Sequence, residues 1–295
     1  MVRLAHDVAR GEDDVKDERK GASALLESAA VHVVIVVAVA FSLYPVLWVL
    51  ATAFSHGNAP ERSVWPVPHA ATLEHLVGVI TAPHFGVQAL NSLVVSISTA
   101  LVGIAIALPA AYAMSRFTFL GKESGVRLLL ATQMFPMVAS AVPLYIVLEY
   151  LGLLDTRTGL VVAYATTSVP FAIFQLRGAF DSIPKDLEEA AMVDGATRVG
   201  AFLRVVLPAA RPAIAVTALF AFMSAYNEFI LAATILGKEE ALTLPVVLQR
   251  FVGEHDAAWG SFAAGSIVVS LPVMVLFYVV QRHLVSGLTA GGVKG

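Results

Sequence analysis

Six apolar runs, each near the roughly 20 residues that cross a bilayer as a helix, constrain this chain more than any other feature. They lie at about 30–54, 87–113, 127–148, 159–179, 209–235 and 262–282. Lipid gives no hydrogen-bond partners to open backbone groups, so segments of this kind cross it as helices. The expected fold is therefore all-α, a polytopic membrane protein of six transmembrane helices. Composition agrees: 58 % of residues are hydrophobic and 14 % charged, with mean hydropathy +0.78, against about 25 % charged in a soluble domain.

The organisation follows from the runs. Residues 1–29 form a polar N-terminal tail, 30–285 a six-helix transmembrane body, and 286–295 a short C-terminal tail. The first run does not read as a cleaved signal, because seven acidic residues lie among five basic ones before it and it exceeds 20 residues, longer than an h-region of about 7–15. Basic residues set the orientation. With both termini inside, fifteen of the nineteen Lys and Arg fall in cytoplasmic segments, and only Arg62, Arg157, Lys238 and Arg250 fall outside, as the positive-inside rule requires. The loop between the fourth and fifth runs then faces the cytoplasm. Prolines recur in or beside the runs, at Pro45, Pro109, Pro136, Pro143, Pro170, Pro212 and Pro272. They allow hinges, but proline is also generally commoner in membrane helices.

That cytoplasmic loop, 184–208, is built like a docking element. Asp186, Glu188 and Glu189 place negative charge near a helix N-terminus. Ala190 and Ala191 permit close approach, Gly195 can turn the chain through positive φ, and Thr197 can cap a second helix. Val199, Phe202, Leu203 and Val206 then recur at helical spacing as one apolar face, which Pro208 ends. An amphipathic loop resting on the membrane would share several of these properties.

The order of the loop is Glu189-Ala190-Ala191, three residues including Asp194, Gly195, nine residues, Val205, then Leu207-Pro208. It resembles the EAA loop of permease subunits in ATP-binding-cassette (ABC) importers, with Val205 where the family usually has Ile. The C-terminal GLTAGGVKG, YNEF at 226–229 and QMFPMV at 133–138 look like the shorter permease subunit of maltose/maltodextrin and trehalose importers. The resemblance implies that Glu189, Ala190, Ala191, Asp194, Gly195, Leu207 and Pro208 couple to an ATPase, and that Gly291, Gly292 and Lys294 reach into the ATPase dimer interface. It implies a longer second permease as heterodimer partner, an ABC ATPase dimer that binds ATP and Mg, and an extracytoplasmic sugar-binding protein. The setting would be the lipid of a bacterial inner membrane.

Other candidates are weaker in pattern. Asn227 and Glu228 near the outer end of the fifth run, with Gln133, either line a pathway or join membrane helices. His56, His69, His75 and His84 in the first outer loop are spaced 13, 6 and 9 residues apart, which matches no compact metal-ligand pair. The second large outer loop, 236–261, carries Lys238, Glu239, Glu240, Glu254, His255 and Asp256. In maltose-type systems the corresponding loop meets the binding protein; as charge alone it is a solvated loop.

No segment fits G-x-x-x-x-G-K-[ST], H-E-x-x-H or G-x-S-x-G, so the chain itself is expected to hold no cofactor and catalyse nothing. No basic patch points to nucleic acid, and the absence of cysteine excludes disulfides and thiolate metal sites. Two rival classes remain defined. A self-sufficient secondary transporter would carry interrupted helices and an inverted repeat; a membrane enzyme would carry a catalytic constellation.

Overall fold

The computed structural model describes residues 2–57, 64–68, 70–253 and 257–292, with side chains described within 27–281. Among them, regular structure is helical, with a single isolated bridge between Ser55 and Ala71. Four helices are long and apolar enough to cross a bilayer. These are α1 (Val2–Phe54, span-like over Glu27–Phe54), α3 (Phe85–Arg116), α6 (Arg157–Ser182) and α13 (Trp259–Gly292, span-like over Trp259–Gln281). A short α2 (Glu74–Ile80) lies between the first two.

The third and fifth runs are not continuous helices. The third divides into α4 (Lys122–Met134) and α5 (Met137–Tyr150), bent by 101°. Phe135, immediately before Pro136, is extended at φ −76°, ψ 129°, the conformation that a following proline ring imposes on its neighbour. At the start of the fifth run the preceding arm, Arg198–Ala209, is bent by 73° against α10 (Arg211–Tyr226). Pro212, in the first turn of α10, withholds an amide at that bend. The same run is interrupted again after Tyr226 and resumes as α11 (Ile230–Ile235). Six crossings result if each bent pair is one span. Pro45, Pro109, Pro143, Pro170 and Pro272 lie within helices that continue past them.

The bundle is organised on α3 and α6, its most extensive helix pair, with α10 packed on both and α13 on α10 and α1. Gly103, Ala107 and Ala111 put small residues at every fourth position of α3. Ala107 and Ala111 are fully buried with Ala172 of α6, and a Cβ on Gly103 would stand 3.4 Å from Ser168 Oγ. Small side chains let two backbones approach, which is how helices associate where no water drives them together. The apolar side chains of α1 from Val31 to Leu47 point outward, as a lipid-facing helix requires.

At the end of the bundle away from the 184–208 loop, polar side chains of α3 hold the second outer loop. Gln88 Nε2 donates to Glu239 O at 3.0 Å, and Asn91 Nδ2 to Glu240 O at 2.7 Å and Leu242 O at 3.0 Å. Leu244 N, at the start of α12 (Leu244–Arg250), donates to Ser92 Oγ at 2.8 Å. From the turn before α6, Asp155 at φ 57° accepts from Gly237 N at 2.5 Å and Lys238 N at 3.1 Å. The first half of this loop, which charge alone reads as solvated and the resemblance as a contact for a binding protein, is thus fixed to the bundle. Glu254, His255 and Asp256 in its second half lie outside the described residues.

Candidate functional site: the segment between the fourth and fifth runs

Residues 184–208 fold as two short helical arms around a tight turn. Pro184 precedes α7 (Lys185–Val193), whose first turn carries Asp186 and Glu188. Gly195, at φ +90°, ends it. Gly195 N donates to Met192 O at 3.1 Å and Ala196 N to Ala191 O at 3.0 Å. Those paired bonds satisfy carbonyls that a helix end leaves open and define a Schellman turn. Thr197 then caps α8 (Arg198–Ala201), its hydroxyl accepting from Gly200 N at 3.1 Å. The second arm continues through a π-helical turn, Phe202–Val206, into α9 (Leu207–Ala209). The wider turn falls just where Pro208 would otherwise press on the carbonyl four residues before it.

The single apolar face expected of the second arm is divided. Val206 is fully buried and Phe202 packs beside it, whereas Val199 and Leu203 are exposed. The inward pair belongs to the cluster of Ala107, Ala111, Ile173, Leu176 and Phe180. The outward pair joins Leu187 and Val193, which are exposed on α7. Glu189, Ala190, Asp194 and Gly195 share that exposed surface; Ala191, Leu207 and Pro208 are half-buried behind it.

A buried ionic clamp seats the first arm on the bundle. Glu188, 6 % exposed, receives a hydrogen bond from Tyr112 Oη at 2.8 Å and is paired with Arg116 Nε. Arg116 also donates through Nη2 to Ile183 O at 2.9 Å. Ser115 Oγ donates to Asp181 at 2.6 Å, and Asp181 stands 3.5 Å from Arg177. Around these groups Tyr112 meets the rings of Phe117, Phe180 and Phe202, and the Arg198 guanidinium lies 5.1 Å from the Phe117 ring. Taking two charges out of water is unfavourable unless their remaining donors and acceptors are filled. Here they are filled from three elements, so α7 is held to the ends of both α3 and α6. A shallow depression of about 100 Å³ remains between Tyr112, Arg116, Lys185, Glu189 and Arg198.

Sequence reasoning singled out Glu189 and treated Glu188 only as a helix-dipole charge. Adjacent helical residues point about 100° apart, so two consecutive glutamates need not share one environment, and here Glu189 faces outward while Glu188 is buried. Arg116, one of the fifteen basic residues in the cytoplasmic segments, counts in the sequence only toward topology.

The other candidates lie apart. Gln133 is at the α4–α5 break and donates to Thr167 O at 3.0 Å. Asn227 Nδ2 donates to Met223 O at 3.0 Å. Glu228, 8 % exposed, accepts from Leu231 N at 2.9 Å and Ala232 N at 3.1 Å. Its carboxylate caps α11, a local use that accounts for an acidic group at this depth. His75 is buried, with Nε2 3.0 Å from Gly57 O, and His56 lies 3.0 Å from Glu74. His69 and Lys294 lie outside the described residues, and the surroundings of Gly291 and Gly292 lie outside the described side chains.

Comparison with known proteins places this geometry. Residues 103–289 match the family described as binding-protein-dependent transport system inner membrane component. The chain is 35 % identical over 262 residues to the trehalose transport system permease protein SugB of Mycobacterium tuberculosis, covering 87 % of this chain and 94 % of the relative. It is 36 % identical over 255 residues to the diacetylchitobiose uptake system permease protein DasC of Streptomyces coelicolor, covering 86 % and 92 %. Among solved structures, a chain of a bacterial ABC transporter that imports the acidic polysaccharide alginate superposes with TM-score 0.72 at 24 % identity, over 87 % of this chain and 96 % of that one.

Proposed function

Because the chain belongs to the family of binding-protein-dependent transport system inner membrane components, we propose that it is a permease subunit of an ATP-driven saccharide importer. The observation that carries the reading is the 184–208 segment, which presents a mixed apolar and acidic face outward while Glu188 and Arg116 lock its root to two membrane helices. A docked ATPase that moves this face moves α3 and α6 with it. ATP and Mg would be bound by a partner ATPase dimer, and the chain itself would catalyse nothing. A second, longer permease would complete the pathway, and an extracytoplasmic binding protein would deliver substrate to the anchored outer loop. Both termini would lie in the cytoplasm. Gly291, Gly292 and Lys294 would enter the ATPase interface.

The substrate we favour is a maltose, maltodextrin or trehalose type of saccharide. The C-terminal resemblance and the trehalose permease relative support it. A specific observation also favours a rival class, because interrupted helices are common in secondary transporters and two bent pairs are present.

One experiment addresses both. The tagged chain is purified gently from its own membrane, its companions are identified by mass spectrometry, and the complex is tested for ATP-driven uptake of a saccharide panel. An ATPase and a second permease should co-purify and be lost with Glu189→Lys or Gly195→Asp. Truncation after Leu288 should lower ATPase activity. A chain that purifies alone and takes up solute without any ATPase would overturn the reading in favour of the secondary transporter.

A further inference from the structure

A cavity of about 470 Å³ opens at the break between α4 and α5, within the range of about 300–1,000 Å³ usual for small-molecule sites. Thr132, Gln133 and Phe135 reach it from the break, Thr167 and Phe171 from α6, and Phe220 and Ser224 from α10. Thr167 is ten residues beyond the start of α6 at Arg157. At about 1.5 Å per residue it stands near the middle of a hydrocarbon core about 30 Å thick. Non-helical backbone at such depth is tolerated where protein buries it or where it lines a cavity. The extended Phe135 occupies that position beside a cavity that lies within hydrogen-bonding reach of two further helices.

The lining has a definite chemistry. The Gln133 amide is fixed by its bond to Thr167 O, which leaves its oxygen as an acceptor. The Thr132 and Thr167 hydroxyls donate to Leu129 O at 2.7 Å and Tyr164 O at 3.1 Å, which leaves their oxygens as acceptors, while a serine hydroxyl such as that of Ser224 both donates and accepts. Phe171 and Phe220 stand edge to face at 6.2 Å and supply an apolar wall. Among the described residues that line the cavity, none is charged. A neutral sugar ring matches such a surface, with hydroxyls around its rim and C–H groups across its faces. A carboxylate or sulfonate would enter without a counter-charge, which is unfavourable away from water.

We propose that this cavity is a saccharide contact site contributed by this chain itself, and that it favours an uncharged glycosyl unit. The proposal rests on the importer reading above and adds to it that the sugar touches this subunit and is neutral.

The chain contains no cysteine, so single cysteines report cleanly on it. The probes are Gln133→Cys and Ser224→Cys, with Leu120→Cys in the exposed α3–α4 turn as reference. Each is placed in the full transporter, with its ATPase, companion permease and binding protein, and assembly is checked by binding-protein-stimulated ATPase activity. Trehalose, maltose, diacetylchitobiose and an alginate oligomer are first ranked by uptake through the unaltered complex. The imported saccharide is then supplied to the complex arrested with ATP and vanadate at about ten times the half-saturating concentration measured for each cysteine variant, which reduces the empty fraction about tenfold. Alkylation by a small neutral thiol reagent should slow about tenfold at positions 133 and 224 and stay unchanged at 120. If Gln133→Cys does not assemble, Thr132→Cys takes its place. A transported saccharide that is acidic, or a neutral one that leaves both cavity cysteines reacting at the unprotected rate, overturns this inference and leaves the importer reading standing. A complex that transports no saccharide under ATP overturns the importer reading, and this inference with it.

Discussion

Gly195 holds φ +90° with no atom within 4 Å of where a Cβ would stand. The demand there is conformational and not steric, and it disfavours a β-branched residue by about 1–2 kcal/mol. Gly195→Val should therefore release the ATPase while the chain still inserts, whereas Gly195→Asn, which tolerates left-handed backbone, should retain most co-purification and uptake. Equal loss in both variants would show that the turn needs more than its φ. Glu188 poses the opposite demand. Glu188→Ala leaves the Arg116 guanidinium buried and unpaired, a change that destabilises by about 3–5 kcal/mol. Thermal melting in detergent should fall sharply, and the double variant Arg116→Met with Glu188→Leu should recover much of it. The glycine was legible in the sequence because a turn between two helical stretches leaves few residue types able to make it. The clamp was not, because Arg116 and Glu188 are separated by two membrane segments and nothing local pairs them.

Among the elements, the apolar runs were read correctly as helical, but hydropathy is blind to direction. It averages over Phe135 and Pro136 as readily as over a straight helix, so the 101° bend escaped it even though the proline was in plain view. Five other prolines sit inside uninterrupted helices, and proline alone therefore does not locate a break. The fixed outer loop was illegible for a related reason: its restraints come from Gln88, Asn91 and Ser92, polar residues on an apolar helix more than a hundred positions away in sequence. Asp155 gives that loop a measurable pH response. The amide of Gly237 foremost, and that of Lys238, hold its carboxyl below the ordinary 3.8. The contribution is complete above that value and disappears as pH falls through the lower folded one. Hydrogen-exchange protection at Gly237 and Lys238, corrected for intrinsic rates, should be flat from neutral pH down to about 5 and drop only below the ordinary carboxylate value. Asp155→Asn should remove that dependence. A decline already under way near neutral pH would assign the anchor to another group.

For the whole molecule, charge distribution gives a prediction independent of any partner. A single cysteine at Ala190 should react only with reagent supplied from the cytoplasmic side, and one at Ala241 only from outside. Reaction of both from one side would reverse or dismantle the six-crossing arrangement. The bundle itself hangs on α3 and α6, yet α4 contains no buried residue. Leu129 packs against the cluster of Ala107, Ala111 and Phe180 and Gln133 bonds Thr167 O, but the opposite side of α4 leaves Leu128, Leu130 and Met134 exposed. Copies synthesised beyond the number of their neighbours would keep that side unfinished, and the proteases that survey membranes act on such openings. Stoichiometry would then be settled after translation, by which chains survive, and an imbalance in expression between subunits would be erased from the membrane without any regulator that counts them.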